Sequence, residues 1–175
     1  LIALFIMAII LTTQFNSYGQ TLIILSAVVL STTGVLLGHL LIGQPFGIVM
    51  SGLGVIALAG IVVNNNIVLI DTYNKNNQTL HWREALIETG RSRLRPVLLT
   101  AITTIIGLMP MAAKVNINLV ERVVIYNSPS TQWWNQLASS IIFGLAFATI
   151  LTLVITPCMI ALGNRMLEKR GKSTT

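Results

Sequence analysis

The chain has 175 residues, of which 54% are hydrophobic and 9% charged, with a mean hydropathy of +0.79; a soluble globular domain carries roughly 25% charged residues, so water is excluded as the main solvent. The formal net charge is +6, from 11 Lys and Arg against 5 Asp and Glu. In so apolar a chain basic residues collect in the loops between membrane spans, so the charge reports orientation and no nucleic-acid partner is expected.

The opening run, LIALFIMAIILTTQF, begins at Leu1 without a basic leader or a small-residue cleavage site. It reads as the tail of a spanning helix that starts upstream rather than as a secretory signal. A bilayer core of ~30 Å requires about 20 apolar residues of helix. Apolar segments fall at about 1–16, 20–43, 46–72, 96–114 and 136–163, with a polar NSYGQ turn after the first and a tight GQP turn after the second. The expected fold is therefore all-α: a five-helix transmembrane bundle fragment embedded in lipid. Segment 80–92, containing WREALIETGR, places Trp82, Leu86 and Ile87 opposite charged residues. It reads either as one short amphipathic cytoplasmic helix on the membrane surface or as a solvated helical linker.

The loop after the third segment carries Lys75, Arg83, Arg91, Arg93 and Arg95, and the basic tail, 165–175, carries Arg165, Lys169, Arg170 and Lys172. Only Lys114 and Arg122 fall on the other side. The positive-inside rule makes the long loop and the C-terminus cytoplasmic.

Polar groups inside the spans carry the functional information, because hydrocarbon leaves their hydrogen bonds unmet. The third segment contains Asn64, Asn65 and Asn66 in succession, and at ~100° per residue these sweep more than half of the helix circumference. Gly54, Ala57, Gly60 and Asn64 recur on one stripe, which lets a second backbone approach before offering it an amide. Asparagine hydrogen bonding between helices is the plainer account of any one of the three. The fourth segment opens RSRLRPVLLTAITTIIGLMP, with Pro96 placed as a first-turn residue. Arg93, Thr100, Thr104 and Gly107 then share a face, on which Arg93 points inward or snorkels to the headgroups. In the fifth segment Ser140, Gly144, Ala148, Thr152 and Thr156 form a small-residue ridge, and the second carries Gly34 and Gly38 as GxxxG; both patterns favour helix packing.

No acidic residue lies deep in a span, and His39, near the outer end of the second, has no evident partner in the sequence. A complete proton relay needs a titrating group from elsewhere. Signatures such as HExxH, GxSxG and the phosphate-binding GxxxxGK[ST] are missing, so no enzymatic activity and no metal site are expected. The lone cysteine, Cys158, reads as a packing residue, and Trp133 and Trp134 fit an interfacial aromatic belt.

The run GIVVNNNIVLID, followed by EALIETGRSRLRPVLLTAITTIIGLMPM and closed by IIFGLAFATILTLVITPCMIAL, resembles the resistance-nodulation-division (RND) efflux transporters of the multidrug type. The resemblance covers essentially the whole chain and implies transmembrane helices eight to twelve of an inner-membrane pump. It implies a homotrimer that exchanges protons for hydrophobic or amphiphilic compounds, with the proton gradient in place of any cofactor. Its partners would be the missing N-terminal portion of the same protein, a periplasmic adaptor and an outer-membrane channel. Carried over by motif, the proton-relay residues are Asn64, Asn65, Arg93 and Thr100, with Asn64 standing where well-studied drug pumps have lysine. Asparagine supplies no positive charge, so that role passes to Arg93 or to a hydrogen-bonded, water-filled path. The alternative is a non-exporting membrane component, either a translocation-assisting relative or an assembly scaffold.

Overall fold

The computed structural model describes residues 2–118, 123–126 and 129–171. Five helices dominate: α1 (Ile2–Phe15), α2 (Tyr18–Ile42), α3 (Ile48–Asn76), α4 (Trp82–Ala112) and α5 (Pro129–Gly171). The all-α bundle expected from the hydropathy pattern is what forms. Helices α2 to α5 are each long and apolar enough to cross a membrane, whereas α1, with 14 residues, is shorter.

Local sequence explains where these helices stop. Gly43 ends α2 in the left-handed conformation, φ 68°; its N–H donates to the Leu40 carbonyl at 3.2 Å and the Gln44 N–H to the His39 carbonyl at 3.0 Å, a glycine stop that any side chain would strain. Pro45 follows, and Gly47 caps α3. Asn16 and Lys114 also take positive φ, 47° and 58°, at the ends of α1 and α4.

Three elements depart from the expected outline. The amphipathic stretch at 80–92 is helical but is not a separate surface helix: it runs without a break into the fourth span, so α4 is one rod of 31 residues, about 46 Å at ~1.5 Å per residue. Pro96 therefore sits inside the helix rather than in its first turn. Its ring fits helical φ, at the cost of one intrahelical hydrogen bond and of crowding against the Ser92 carbonyl four residues back. Second, the segment after α4 contains a hairpin, β1 (Val115–Asn118) antiparallel to β2 (Val123–Tyr126), with Val115 opposite Tyr126. Third, α5 starts at Pro129 and extends to Gly171, well beyond 136–163 at both ends. Glu121, Arg122 and the last part of the basic tail, 172–175, lie outside the described residues.

Helix α5 is the centre of the bundle and packs against α2, α3 and α4. Its ridge of Ser140, Gly144, Ala148, Thr152 and Thr156 is buried along its whole length. Small residues set this spacing. Phe147 and Phe143 occupy the space that a side chain at Gly34 or Gly38 would need, Leu58 and Val35 close over Gly144, and Ser140 closes over Gly54. Helices that gain little from hydrophobic exclusion in lipid hold together by such close backbone approach. Gly60 has open space beside it among the described residues.

Candidate functional site

The three asparagines of α3 take three different environments. Asn64 is exposed, Asn65 is half-buried and Asn66 is 0% exposed. The Asn66 amide donates to the Val62 carbonyl at 3.0 Å and to Thr152 Oγ1 at 3.4 Å, and the Thr156 hydroxyl donates to Asn66 Oδ1 at 2.8 Å. This knot joins α3 to α5 in the middle of the core and leaves none of its polar atoms unmatched. Asn66, not Asn64, is thus the helix-to-helix amide. Its partners were visible in the sequence as the last two residues of the α5 ridge, but nothing in the sequence pairs them with position 66 in preference to 64.

Asn64 faces away from the other four helices, on a stripe with Ala57 and Gly60, which are also exposed. A carboxamide left against acyl chains would forfeit its hydrogen bonds at a cost of several kcal/mol. This face of α3 therefore fits cover by protein or water.

Arg93 lies on the same side. Its Nε donates to Thr72 Oγ1 at 2.7 Å, and the Thr72 hydroxyl donates to the Val68 carbonyl at 2.8 Å, so the guanidinium is tethered across from α4 to α3. Thr72 was not singled out by the sequence, since only the turn between α3 and α4 brings it opposite Arg93. Arg93, Val68, Asp71 and Asn74 line a crevice of about 460 Å³ that Gln14 and Phe15 of α1 close on one side. Asp71 is paired with Lys75 at 2.8 Å, one turn along its own helix. Asn74 exchanges two hydrogen bonds with Gln20, at 2.8 and 3.1 Å, which fixes α2 to the end of α3.

Thr100 is exposed and its hydroxyl donates to the Val97 carbonyl at 3.0 Å, while Thr104 donates to Thr100 O at 2.8 Å. Both satisfy themselves on their own helix, as threonines in apolar helices do. Among the described residues no hydrogen bond links Asn64 or Asn65 to Arg93 or Thr100. The four residues stand on α3 and α4 without forming one connected cluster.

His39 does have partners. One ring nitrogen lies 3.0 Å from the Val35 carbonyl and the other 3.2 Å from Ser51 Oγ, which also accepts from the Gly47 N–H. A carbonyl can only accept, so Nδ1 carries the hydrogen it shares with Val35, and the Ser51 hydroxyl pairs with Nε2. Its role is to tie the end of α2 to the start of α3. Trp133 and Trp134 are exposed on the first turns of α5, and Cys158 is exposed and unpaired. Among the described residues no cluster of three or more His, Cys, Asp or Glu is placed to hold a metal ion.

The chain matches the AcrB/AcrD/AcrF family over residues 1–164. It is 35% identical over 158 residues to the swarming motility protein SwrC of Bacillus subtilis, covering 90% of this chain and 14% of that protein. It is 34% identical over 145 residues to the nickel and cobalt resistance protein CnrA of Cupriavidus metallidurans, covering 82% and 12%. Against the multidrug resistance protein MdtC of Yersinia enterocolitica the identity is 28% over 166 residues, covering 94% and 15%. Among solved structures it is similar to a heavy metal efflux pump, with a TM-score of 0.76 and 32% identity over 92% of this chain and 14% of that one. The chain thus spans about 14% of the length of such relatives. A match over nearly all of its residues, on a bundle whose apolar helices and asparagine-bearing α3 are those described above, places this multi-pass membrane chain in the AcrB/AcrD/AcrF family of RND efflux transporters.

Proposed function

We propose that the chain is part of a proton-driven efflux transporter of the inner membrane, in which α3 and α4 supply the non-acidic side of the proton relay. The observation that carries this reading is the outward-facing Asn64 in a 29-residue apolar helix, on the side where Arg93 is held by Thr72. A polar face of this kind fits an acidic partner on another segment or a file of water, since amides and guanidinium groups donate to both. Arg93 then supplies the fixed positive charge and Asn64, Asn65 and Thr100 the hydrogen-bonding surface around it. The substrates in this proposal are drugs or other amphiphilic compounds, exported by a homotrimer together with a periplasmic adaptor and an outer-membrane channel. In this proposal the end of the bundle at the α3–α4 turn, flanked by Lys75 and the arginines of the first half of α4, and the C-terminus are cytoplasmic on the charge distribution.

The test uses the full-length protein. Arg93→Ala and Thr100→Ala are expected to abolish proton-dependent export while leaving the assembled protein in the membrane; undiminished export would remove these residues from the relay. A second substrate reading, export of divalent cations, is favoured by the names of relatives such as CnrA and by the heavy metal efflux pump structure. Parallel efflux assays with a dye and with nickel, cobalt or zinc separate the two.

A further inference from the structure

A second feature lies at the end of the bundle where basic residues concentrate, away from the α3–α4 polar face. The first turns of α4 and the last turns of α5 diverge around a groove of about 520 Å³. From α5 it is lined by Cys158, Leu162 and Arg165, and from α4 by Arg83, Leu86 and Ile87. On each helix these positions fall on one face, with the spacing of successive turns. The floor is apolar and the two arginines are the charged groups of the lining. Both are exposed, and among the described residues neither forms an ion pair. The Arg83 guanidinium carbon lies 5.0 Å from the centre of the Trp82 ring, a cation–π arrangement that holds the charge over the groove while leaving its N–H donors free to act. The opposite side of α5 is fastened to α3 by Asn164, whose amide donates to the Tyr73 hydroxyl at 2.7 Å, so the groove wall does not collapse onto the bundle.

We propose that this groove is a binding site for an anionic phospholipid, its phosphate held between Arg83 and Arg165 and the upper part of an acyl chain lying along Leu86, Ile87 and Leu162. The lining of the groove and the general chemistry of phosphate recognition converge on this occupant. The apolar run of α5 closes at Leu162, with Gly163, Asn164 and Arg165 following, so the arginines sit at headgroup level and the leucines one turn deeper. Guanidinium groups match phosphate oxygens in pairs. Basic pockets between helices on the positively charged side of a membrane protein recognise acidic headgroups. The wholly apolar floor between two cations matches a molecule that is anionic at one end and hydrocarbon at the other. The site is independent of the pump reading and would hold for a non-exporting membrane protein as well.

The experiment reconstitutes the full-length protein in nanodiscs of phosphatidylcholine containing a small fraction of a phosphatidylglycerol that carries a diazirine on its acyl chain. After illumination, peptides spanning 82–87 and 158–165 are examined by mass spectrometry for lipid adducts. The expected result is labelling of both peptides by the phosphatidylglycerol probe well above that by the matching phosphatidylcholine probe. The double variant Arg83→Gln/Arg165→Gln should reduce it about ten-fold, and Arg83→Lys/Arg165→Lys, which keeps the charge without the paired donors, should fall between that variant and the unaltered protein. Thermal melting of each variant checks that the helices remain packed; if the glutamine pair unfolds, the two-probe comparison on the unaltered protein decides. Equal labelling by the two probes, no adduct in either peptide, or displacement of the probe by inorganic phosphate would overturn the proposal.

Discussion

Replacing Asn66 by alanine is expected to loosen α3 from α5 by about 2 kcal/mol. The two interhelical bonds lost, to Thr152 and from Thr156, contribute about 0.6 kcal/mol each at the average measured inside membrane proteins. The void left by the amide in a site with 0% exposure adds about 0.8 kcal/mol if the neighbours relax only in part. Local opening of α3 should then be favoured about thirty-fold, since 1.4 kcal/mol corresponds to about a factor of ten. Hydrogen exchange of peptides covering 62–70, followed by mass spectrometry on the full-length protein, reads that opening directly. Thr156→Val should produce part of the same effect, and the double variant should fall short of the sum because the two side chains share one bond. Exchange within about three-fold of the unaltered protein in the Asn66→Ala variant would refute the reasoning. It would mean that Thr152 and Thr156 fall back on carbonyls of their own helix at no net loss.

Other outcomes follow from the same geometry. Gly34→Val and Gly38→Val should drive Phe147 and Phe143 outward and lower the yield of folded protein, at a cost of about 1–3 kcal/mol each. Gly60→Val meets nothing among the described residues, so loss of function there with folding intact would reveal a segment packed on the outer face of α3. On a Cys158→Ser background, Asn64→Cys should react with a small water-soluble thiol reagent faster than Asn66→Cys, and the reverse order would contradict the assignment of their faces. Thr72→Val should release the Arg93 side chain and cut export partially, whereas Thr72→Ser should preserve it; equal export by both variants would show that the tether is idle.

Much of the architecture was legible because the signals involved are local. Apolar length defines a span, Gly43 and Pro45 end α2, and the small-residue ridge of α5 marks a contact face whatever the neighbour. The stretch at 80–92 is helical as its periodicity indicates, but it continues through Pro96 into the fourth span; an interior proline costs a hydrogen bond and crowds the carbonyl four residues back, and the strong helix formers before it still do not stop. For the site, the sequence showed that three consecutive asparagines cannot all face lipid, yet not which of them turns inward. That depends on the rotation of α3 against α5, set by where Gly54 meets Ser140 and Leu58 meets Gly144, contacts between residues far apart in the chain. Thr72 and Arg93 are joined only by the fold, and no periodicity in either helix announces the pair. Asn64, Asn65, Arg93 and Thr100 were singled out by motif. The geometry puts them on the same two helices without linking them to one another.

The central position of α5 restricts how the membrane helices can rearrange. Sliding α3 along it by one turn, about 5.4 Å, would strip Gly54 from Ser140, Leu58 from Gly144 and Asn66 from Thr156 in a single movement. Rotation about a point near Leu58 moves these contacts less than sliding does, because all three lie along one line of α3. Helix α3 thus hangs on α5 like a yard on a mast: it swings more readily than it climbs.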